Sequence, residues 1–188
     1  MSIEDKIDID VIRVITRAIA ESDNLVVMAT HLTQLLVGAL GIKGCTLFIL
    51  NPASKVFEIL ASFGLSVNYL NKGPILSHIG VVSELRGEPV IIKDIADTDK
   101  LQYPEDAKQE GIGSIASIPI LLYDEIIGAL RLYHHEAWDI SKRDLDSLML
   151  FGEIVGLAMT YTRVLIALQS IKGTIDAVHP IWIKTRHV

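Results

Sequence analysis

SIASIPILLYDEIIGALRL, residues 114–132, is predicted to form two strands joined by a tight turn, and this stretch decides the fold. The first strand covers Ser114–Leu122 and the second Glu125–Tyr133, because both are rich in β-branched and other apolar residues. Tyr123-Asp124 joins them, so the pair is a β-hairpin. Pro119 has no backbone N–H and belongs at a sheet edge or a bulge, whereas Gly128 permits close approach of a helix or a ligand.

A second hairpin and several helices surround this one in the chain. Gly44–Asn51 and Lys55–Phe63 are predicted strands, and Asn51-Pro52-Ala53-Ser54 between them is a turn. Apolar residues at helical spacing, together with helix start and stop signals, predict the remaining elements. These are helices over residues 6–21, 25–40, 75–86 and 104–110, a short strand over 90–92, and a long helix that begins near 141. Ser141 and Asp144 resemble a capping box at the start of this last helix.

The order of these elements predicts an α+β fold, an α/β sandwich. Hairpins dominate, so the central sheet of about five to six strands is mainly antiparallel. We expect the terminal helices to cover one face of the sheet. The connections between Gly64 and Gly111, with their short helices and loops, are expected to cover the other face, because both faces of so apolar a sheet need cover.

The composition narrows the class of protein. The 188 residues are 50% hydrophobic, carry a net charge of −6 and include a single cysteine, Cys45. The acidic balance argues against nucleic acid as a partner, because binding phosphates needs clustered Lys and Arg. One cysteine rules out an intramolecular disulfide and fits a cytoplasmic location. No uninterrupted apolar run approaches the roughly 18–20 residues of a membrane span, and no signal peptide is recognised, so we expect no membrane partner.

Three segments of the chain resemble motifs of the GAF domain family. Residues 80–94, GVVSELRGEPVIIKD, are similar to its segment of a glycine and two hydrophobic residues followed by Gly-Glu-Pro-Val and an aspartate. Ser114–Ile120 resembles its strand with an internal serine and proline, and Ile126–Leu132 resembles the strand after the hairpin. The likeness covers about residues 23–162. GAF domains are small-molecule sensor domains of signalling proteins, so the resemblance implies that the middle connections enclose a ligand pocket.

The resemblance places this pocket beneath the loop after Phe63, the helix over 75–86 and the segment 94–113. Ser114 and Ser117 can hydrogen-bond a ligand from the sheet, although small strand residues are more often packing positions. His78 on the pocket helix is the best candidate to ligate haem or iron, and the alternative is a partly exposed helix histidine. The candidate ligand-contacting residues are Phe63, His78, Asp94, Ser114, Ser117 and Arg131.

Several cofactors and chemistries of the family require residues that this chain lacks. Covalent bilin attachment needs a cysteine in the pocket cover, whereas Cys45 lies at the start of the first strand and is expected to be a small buried hydrophobe. Free methionine sulfoxide reductases of this fold use several cysteines for thiol exchange. Asn71-Lys72 and Asp124-Glu125 do not have the arrangement of cyclic-nucleotide binders. The acidic stretch 94–110 lacks EF-hand spacing, so we predict no metal site and leave the cofactor open.

The last helix carries an apolar seam with alternating spacings of four and three residues, as in a coiled coil. Its members are Leu150, Ile154, Leu157, Tyr161, Val164 and Leu168. A second apolar stripe, which includes Leu148, Val155 and Met159, is expected to pack on the domain itself. A helix that is apolar on two sides needs two partners, so we predict a parallel homodimer. The alternative is a helix buried in a larger core. The helix is predicted over about 141–172, which divides the chain into a sensor domain, 1–172, and a tail or linker, 173–188.

These predictions combine into a non-catalytic sensor domain that binds a small molecule and signals through a dimerising terminal helix. A downstream output domain or kinase, in two-component or cyclic-di-nucleotide signalling, is the expected recipient of the signal. Two alternatives remain open, namely an interaction module with no ligand and a small enzyme of the same fold. An enclosed cavity would distinguish the sensor from the interaction module. A thiol-dependent enzyme would need Cys45 to be partly exposed in an electropositive setting.

Overall fold

One antiparallel sheet with helices on both sides forms the body of the molecule. The computed structural model describes residues 7–22, 24–76, 87–97 and 101–184. Within these residues the order of elements is α1 (Ile9–Ala20), α2 (Leu25–Leu40), β1 (Gly44–Leu50), β2 (Val56–Phe63), α3 (Val67–Leu70), β3 (Ile75–Leu76), β4 (Val90–Ile92), a 3-10 turn (Ile95–Asp97), α4 (Pro104–Glu110), β5 (Ser114–Leu122), β6 (Glu125–His134) and α5 (Lys142–Lys184). Most of the helix predicted over 75–86 lies outside the described residues. Its first two positions form β3 and pair with β2, which corrects the prediction there.

The strands of the described chain form a single six-stranded sheet in the order β3-β2-β1-β6-β5-β4, and every neighbouring pair is antiparallel. Both predicted hairpins are present. Tyr123 and Asp124 link β5 to β6 with φ angles of 49° and 64°, the left-handed conformation that this kind of two-residue turn requires. The register places Arg131 of β6 opposite Ser117 of β5 and opposite Thr46 of β1. The fold class predicted from the sequence is confirmed.

The helices from the two ends of the chain cover one face of this sheet. α1 begins at Ile9 rather than at Lys6, because Asp8 Oδ1 accepts the N–H groups of Asp10 and Val11 at 3.0 and 2.9 Å and caps the helix. α2 has the predicted bounds. The core between helices and sheet is apolar, and its fully buried residues include Leu32, Leu36, Leu47, Ile118, Leu130 and Phe151.

The first half of α5 lies directly on the backbone of β5. A Cβ atom added at Gly152 would stand 2.7 Å from the carbonyl oxygen of Pro119, and one at Gly156 would stand 2.7 Å from that of Leu121. Any side chain at these two positions would hold the helix away from the strand. The two glycines therefore let α5 approach β5 more closely than a helix with side chains there could.

The start of α5 is held by buried polar contacts that join distant parts of the chain. Ser141 Oγ accepts the N–H of Asp144 at 3.0 Å, as the capping-box resemblance predicts. Asp144 is buried, and its Oδ1 accepts the N–H of Ile7 at 2.9 Å. The segment before α1 is thereby tied to the first turn of α5 inside the core.

α5 is longer than the sequence predicts, because it continues past Lys172 to Lys184 and has 43 residues. At a rise of 1.5 Å per residue it is about 65 Å long. An exposed glycine such as Gly173 costs a helix only about 1 kcal/mol, which is too little to end one of this length. The boundary between sensor domain and tail stays a prediction.

Candidate functional site

A polar cluster lies on the sheet face opposite the terminal helices, beneath α3, α4 and the segments beside them. A cavity of about 20 Å³ separates sheet and cover, which is room for about one water molecule. Its described walls come from β5, β6 and the connections between β2 and β5. They include Tyr69, Lys72, Gln102, Tyr103, Ile115 and Arg131.

Arg131 on β6 is the central charge of this cluster and is only 6% exposed. Its Nε donates to Ser117 Oγ at 2.9 Å, and its Cζ lies 5.5 Å from the centroid of the Phe48 ring, a cation–π contact. Burial raises the pKa of the neighbouring Tyr133 hydroxyl, and the Arg131 guanidinium opposes that rise. Among the described side chains, no carboxylate forms an ion pair with Arg131.

Lys72, just after α3, brings a second positive group to the cavity. Its Nζ donates to the carbonyl oxygen of Tyr69 at 2.9 Å and lies 3.7 Å from the centroid of the Tyr69 ring. Burial, and next the charge of Arg131, lower the pKa of Lys72 to about 8, while Asp106 and Glu110 act in the opposite direction. Two basic side chains therefore share one small, partly desolvated space.

Glu110 at the end of α4 attaches this cover to the rest of the domain. It accepts the backbone N–H of Ser66 at 3.0 Å and also the Ser66 hydroxyl, and it lies 3.6 Å from Lys43 Nζ. Burial acts to raise the pKa of Glu110, but the Ser66 hydrogen bonds and the Lys43 charge lower it overall. Ser66 Oγ also accepts the N–H of Tyr69 at 3.2 Å and caps α3. The network thus fixes the helix that carries Tyr69 and leads to Lys72.

A second set of contacts joins the segment after α3 to the segment before α4. The Tyr103 hydroxyl and Gln102 Nε2 both donate to the carbonyl oxygen of Pro74, at 2.9 and 2.8 Å. Gly73 has a φ of 137°, and a Cβ atom there would stand 2.5 Å from the Tyr103 hydroxyl oxygen. Glycine at this position therefore lets the tyrosine close over the cavity.

A protein-family model of the GAF domain matches residues 22–160. This chain belongs to the GAF domain family. GAF domains are sensor and regulatory domains of signalling proteins, which agrees with a small cavity beneath a cover of short segments. No curated protein sequence matches the chain.

Solved structures of low sequence identity share the GAF fold. The GAF domain of a phosphoenolpyruvate-protein phosphotransferase from Coxiella burnetii is 19% identical with a TM-score of 0.76, and the match covers 84% of this chain and 95% of that one. The corresponding Acinetobacter domain is 18% identical with a TM-score of 0.71, covering 82% and 93%. Free methionine-R-sulfoxide reductase from Neisseria meningitidis, solved with its substrate, is 13% identical with a TM-score of 0.70, covering 87% and 98%.

Two of the predicted site residues of this GAF domain contact each other, because Arg131 in the cavity wall donates to Ser117 Oγ beside it. Ser114 is three residues from Ser117 and belongs to the opposite face of β5, because strand residues alternate between faces. Its Oγ donates to the carbonyl oxygen of Glu136 at 2.8 Å. Ser114 therefore holds the end of the hairpin and is not part of the cavity wall, which corrects its predicted placement.

Phe63 and Asp94 are placed apart from this pair. Phe63 pairs with Cys45, whose side chain lies in the helix-side core, so Phe63 belongs to that face of the sheet and its predicted position in the pocket is wrong. Asp94 Oδ1 accepts the N–H of Ala96 at 2.8 Å and caps the 3-10 turn. His78 lies outside the described residues, so its assignment as a haem or iron ligand stays a prediction.

Tyr69, Lys72 and Tyr103 line the cavity, and sequence reasoning did not select them. The signal available was the presence of large aromatic residues in otherwise polar connections, because such rings need an apolar surface to cover. Their convergence depends on the bonds from Glu110 to Ser66 and from Tyr103 to Pro74, which join segments more than 25 residues apart. No local pattern reports contacts of that range.

Cys45 lies away from the cavity, and the described residues contain no metal-binding cluster. The Cys45 side chain is fully buried in the helix-side core, as predicted, and burial raises the pKa of its thiol. In residues 7–22, 24–76, 87–97 and 101–184, no group of three His, Cys, Asp or Glu side chains is arranged to hold a metal ion. A buried thiol on the face away from the cavity is poorly placed to react with a ligand there.

The predicted seam of α5 is largely exposed. Leu157 is 70% exposed and Tyr161 64%, and the seam continues with Val164 and Leu168. The part of α5 from Lys142 to Thr174 also has the length and apolar composition of a membrane span, with a mean hydropathy of 1.5 in its most apolar window. Only 22% of that window is buried, although Phe151 of the same helix is fully buried in the domain core.

Proposed function

We propose that this GAF domain is a non-catalytic sensor that binds a small molecule in the cavity at Arg131 and transmits its presence to α5. The position of β5 carries the proposal. Ser117 of β5 accepts from Arg131 in the cavity wall, and the same strand supports α5 at Gly152 and Gly156. Because closely packed backbones leave no slack, a displacement of β5 by a ligand displaces α5 as well. Such coupling requires a ligand that binds the two arrangements of α5 with different affinities.

The proposed output is a parallel homodimer through α5. An apolar surface of this extent on a soluble domain marks an interaction surface, and heptad spacing suits a second copy of the same helix. α1 adds Ile9 and Val14, which are 66% and 51% exposed. The far end of α5 would lead to a downstream output domain or kinase, and we place the protein in the cytoplasm.

Paired substitutions on α5 test the dimer. Leu157→Lys places a charge in the seam, whereas Ile166→Lys makes the same change at a residue that is 57% exposed but outside the seam. We expect wild type and Ile166→Lys to sediment at twice the 20.7 kDa chain mass and Leu157→Lys to sediment as a monomer. A wild type that is monomeric at all concentrations, or equal behaviour of the two variants, contradicts the dimer.

Native mass spectrometry followed by hydrogen exchange tests the sensor. The purified full chain is expected to carry a small molecule that is lost on denaturation. Refolded ligand-free protein should then show altered exchange rates in the first half of α5 compared with the loaded protein. Equal exchange along α5 with and without the molecule contradicts transmission, even where binding is observed.

The small volume of the cavity favours a second candidate function, a GAF-fold interaction module with no ligand. About 20 Å³ holds a water molecule but not a complete metabolite. Purified protein with no co-purified molecule, combined with a stable dimer, supports this candidate. A thiol-dependent enzyme is disfavoured, because Cys45 is buried and its pKa is raised.

A further inference from the structure

The charges in the cavity wall indicate which class of ligand the cavity binds. This inference rests on the proposed function, because both concern the same cavity. Arg131 is 6% exposed and has no carboxylate partner among the described side chains. Holding a guanidinium away from water without an opposite charge is costly. Its contacts with Ser117 and with the Phe48 ring orient the group but bring no negative charge to it.

Lys72 adds a second positive charge that has no carboxylate partner among the described side chains. It reaches the cavity from the segment after α3, and its contacts with Tyr69 are to a neutral carbonyl and a neutral ring. Burial together with the charge of Arg131 outweighs the opposite influence of Asp106 and Glu110, since the pKa of Lys72 is lowered overall. In the part of the chain that the structure describes, no carboxylate forms an ion pair with either Lys72 or Arg131.

Glu110 cannot turn to the cavity without breaking other contacts. It accepts two hydrogen bonds from Ser66 and lies 3.6 Å from Lys43, and these contacts hold α4 to α3 and to the segment before β1. An external anion can supply the missing charge without disturbing this network. The guanidinium has five N–H donors; Nε donates to Ser117 Oγ and the Tyr133 hydroxyl also hydrogen-bonds to the group, which leaves further N–H donors suited to an oxyanion.

We propose that the cavity binds a small molecule through a carboxylate or phosphate group, held by Arg131 and Lys72. The described walls leave space for about one water molecule, so one oxygen of the oxyanion enters and the remainder of the molecule lies outside this space. Gln102 and Tyr103 stand beside the same cavity and place a neutral polar rim around the charge.

Calorimetric titration of the full chain tests this inference with probes of defined charge. Acetate and inorganic phosphate represent the two oxyanions, acetamide is the neutral analogue of acetate, and chloride controls for ionic strength. We expect acetate or phosphate to bind, with acetamide and chloride without effect. Binding of acetate alone identifies a carboxylate ligand, and binding of phosphate alone identifies a phosphate ligand.

A pair of lysine substitutions shows whether binding occurs at this cavity. Lys72→Gln removes one cavity charge, and Lys93→Gln removes the charge of a lysine that is 68% exposed and paired with Asp139. We expect Lys72→Gln to weaken binding of the effective anion about tenfold or more, the loss of one charge-assisted hydrogen bond, with no change for Lys93→Gln. Equal losses in the two variants would mean non-specific attraction and overturn the inference.

The proposed function and the ligand class can fail separately. Acetamide binding as well as acetate, or a co-purified molecule without an acidic group, overturns the oxyanion inference while the sensor proposal stands. Failure of every probe, together with native mass spectra that show no bound molecule, contradicts both. Variants of Lys72 are preferred to variants of Arg131, because substituting the buried arginine disturbs the sheet itself.

Discussion

Replacing Gly152 by alanine puts a methyl group where α5 touches the backbone of β5. The new Cβ would stand 2.7 Å from the carbonyl oxygen of Pro119, whereas ordinary contact begins at 3.4 Å. α5 must therefore move from the strand by the difference, about 0.7 Å, because a backbone oxygen cannot rotate away as a side chain can. Overpacking of this kind lowers the free energy of unfolding by about 1–3 kcal/mol.

Gly38→Ala is the matched control for the intrinsic effect of alanine in a helix. Gly38 lies in α2 and has no atom within 4 Å of its added Cβ, so this variant should be stabilised by about 0.5–1 kcal/mol. Gly152→Ala has the same gain in helix propensity, and the difference between the two variants therefore measures the packing cost. That difference should be about 1–3 kcal/mol, or about 2–12 °C in Tm for a chain of this size.

Urea unfolding followed by circular dichroism, at several protein concentrations, is the appropriate assay, because dimerisation makes stability depend on concentration. We expect Gly152→Ala to unfold at lower urea than Gly38→Ala with a similar dependence of free energy on urea. Equal stabilisation by the two substitutions would refute the close approach of α5 to β5. It would also remove the route by which the cavity is proposed to act on the helix.

Three further substitutions test the cap of α1, the cover and the cavity charge. Asp8→Ala removes the cap of α1 and should cost about 1 kcal/mol, whereas Asp8→Asn should retain most of the stability. Glu110→Gln should lower Tm at pH 7. Because the pKa of Glu110 is lowered in the fold, its contribution is present above the ordinary glutamate pKa and is lost as pH falls through the lowered pKa, so the difference between wild type and variant narrows with falling pH. Lys72→Met should raise Tm at pH 7, since burial and the repulsion by Arg131 outweigh the attraction of Lys72 to Asp106 and Glu110. Between pH 8 and 10.5 the unfolded chain binds more protons at Lys72 than the folded chain, so wild-type stability rises and the advantage shrinks.

Thermal unfolding across pH measures all three effects. An Asp8→Asn variant as unstable as Asp8→Ala would show that the side-chain cap is not the cause. A Glu110→Gln difference that does not change with pH would show that the carboxylate charge does not hold the cover. An advantage of Lys72→Met that is independent of pH would trace to packing rather than to titration of the amine.

Local signals in the sequence predicted most elements of the fold. The helical spacing of α2 and the proline at the first position of α4 gave bounds that agree with the structure. The strands rich in β-branched and apolar residues on either side of Tyr123-Asp124 predicted the correct hairpin, because turn residues and β-formers act over a few neighbouring positions. The prediction of the helix end at Gly173 was wrong, because the cost of one exposed glycine is too small to end a long helix.

The sequence predicted some residues of the candidate site and missed others. Ser117 and Arg131 were selected as sheet residues and do meet, because antiparallel register follows from the hairpin turn. Phe63 was assigned to the wrong face, since which face of a strand meets the terminal helices depends on how whole layers pack. Lys72 and Tyr69 entered the site through the attachment of α3 to α4 by Glu110, a contact of two segments 44 residues apart.

By itself, the sequence determined the antiparallel α+β fold, the membership of the GAF family and the apolar seam of the last helix. The fold and the seam follow from periodicity and turn chemistry, which act between residues close in the chain, whereas the family follows from the resemblance of short motifs and the family-model match over residues 22–160. Only the tertiary structure decided that two cations converge on one cavity and that α5 rests on the carbonyls of β5. Both depend on segments far apart in sequence, whose approach is set by close packing and buried hydrogen bonds rather than by any local pattern.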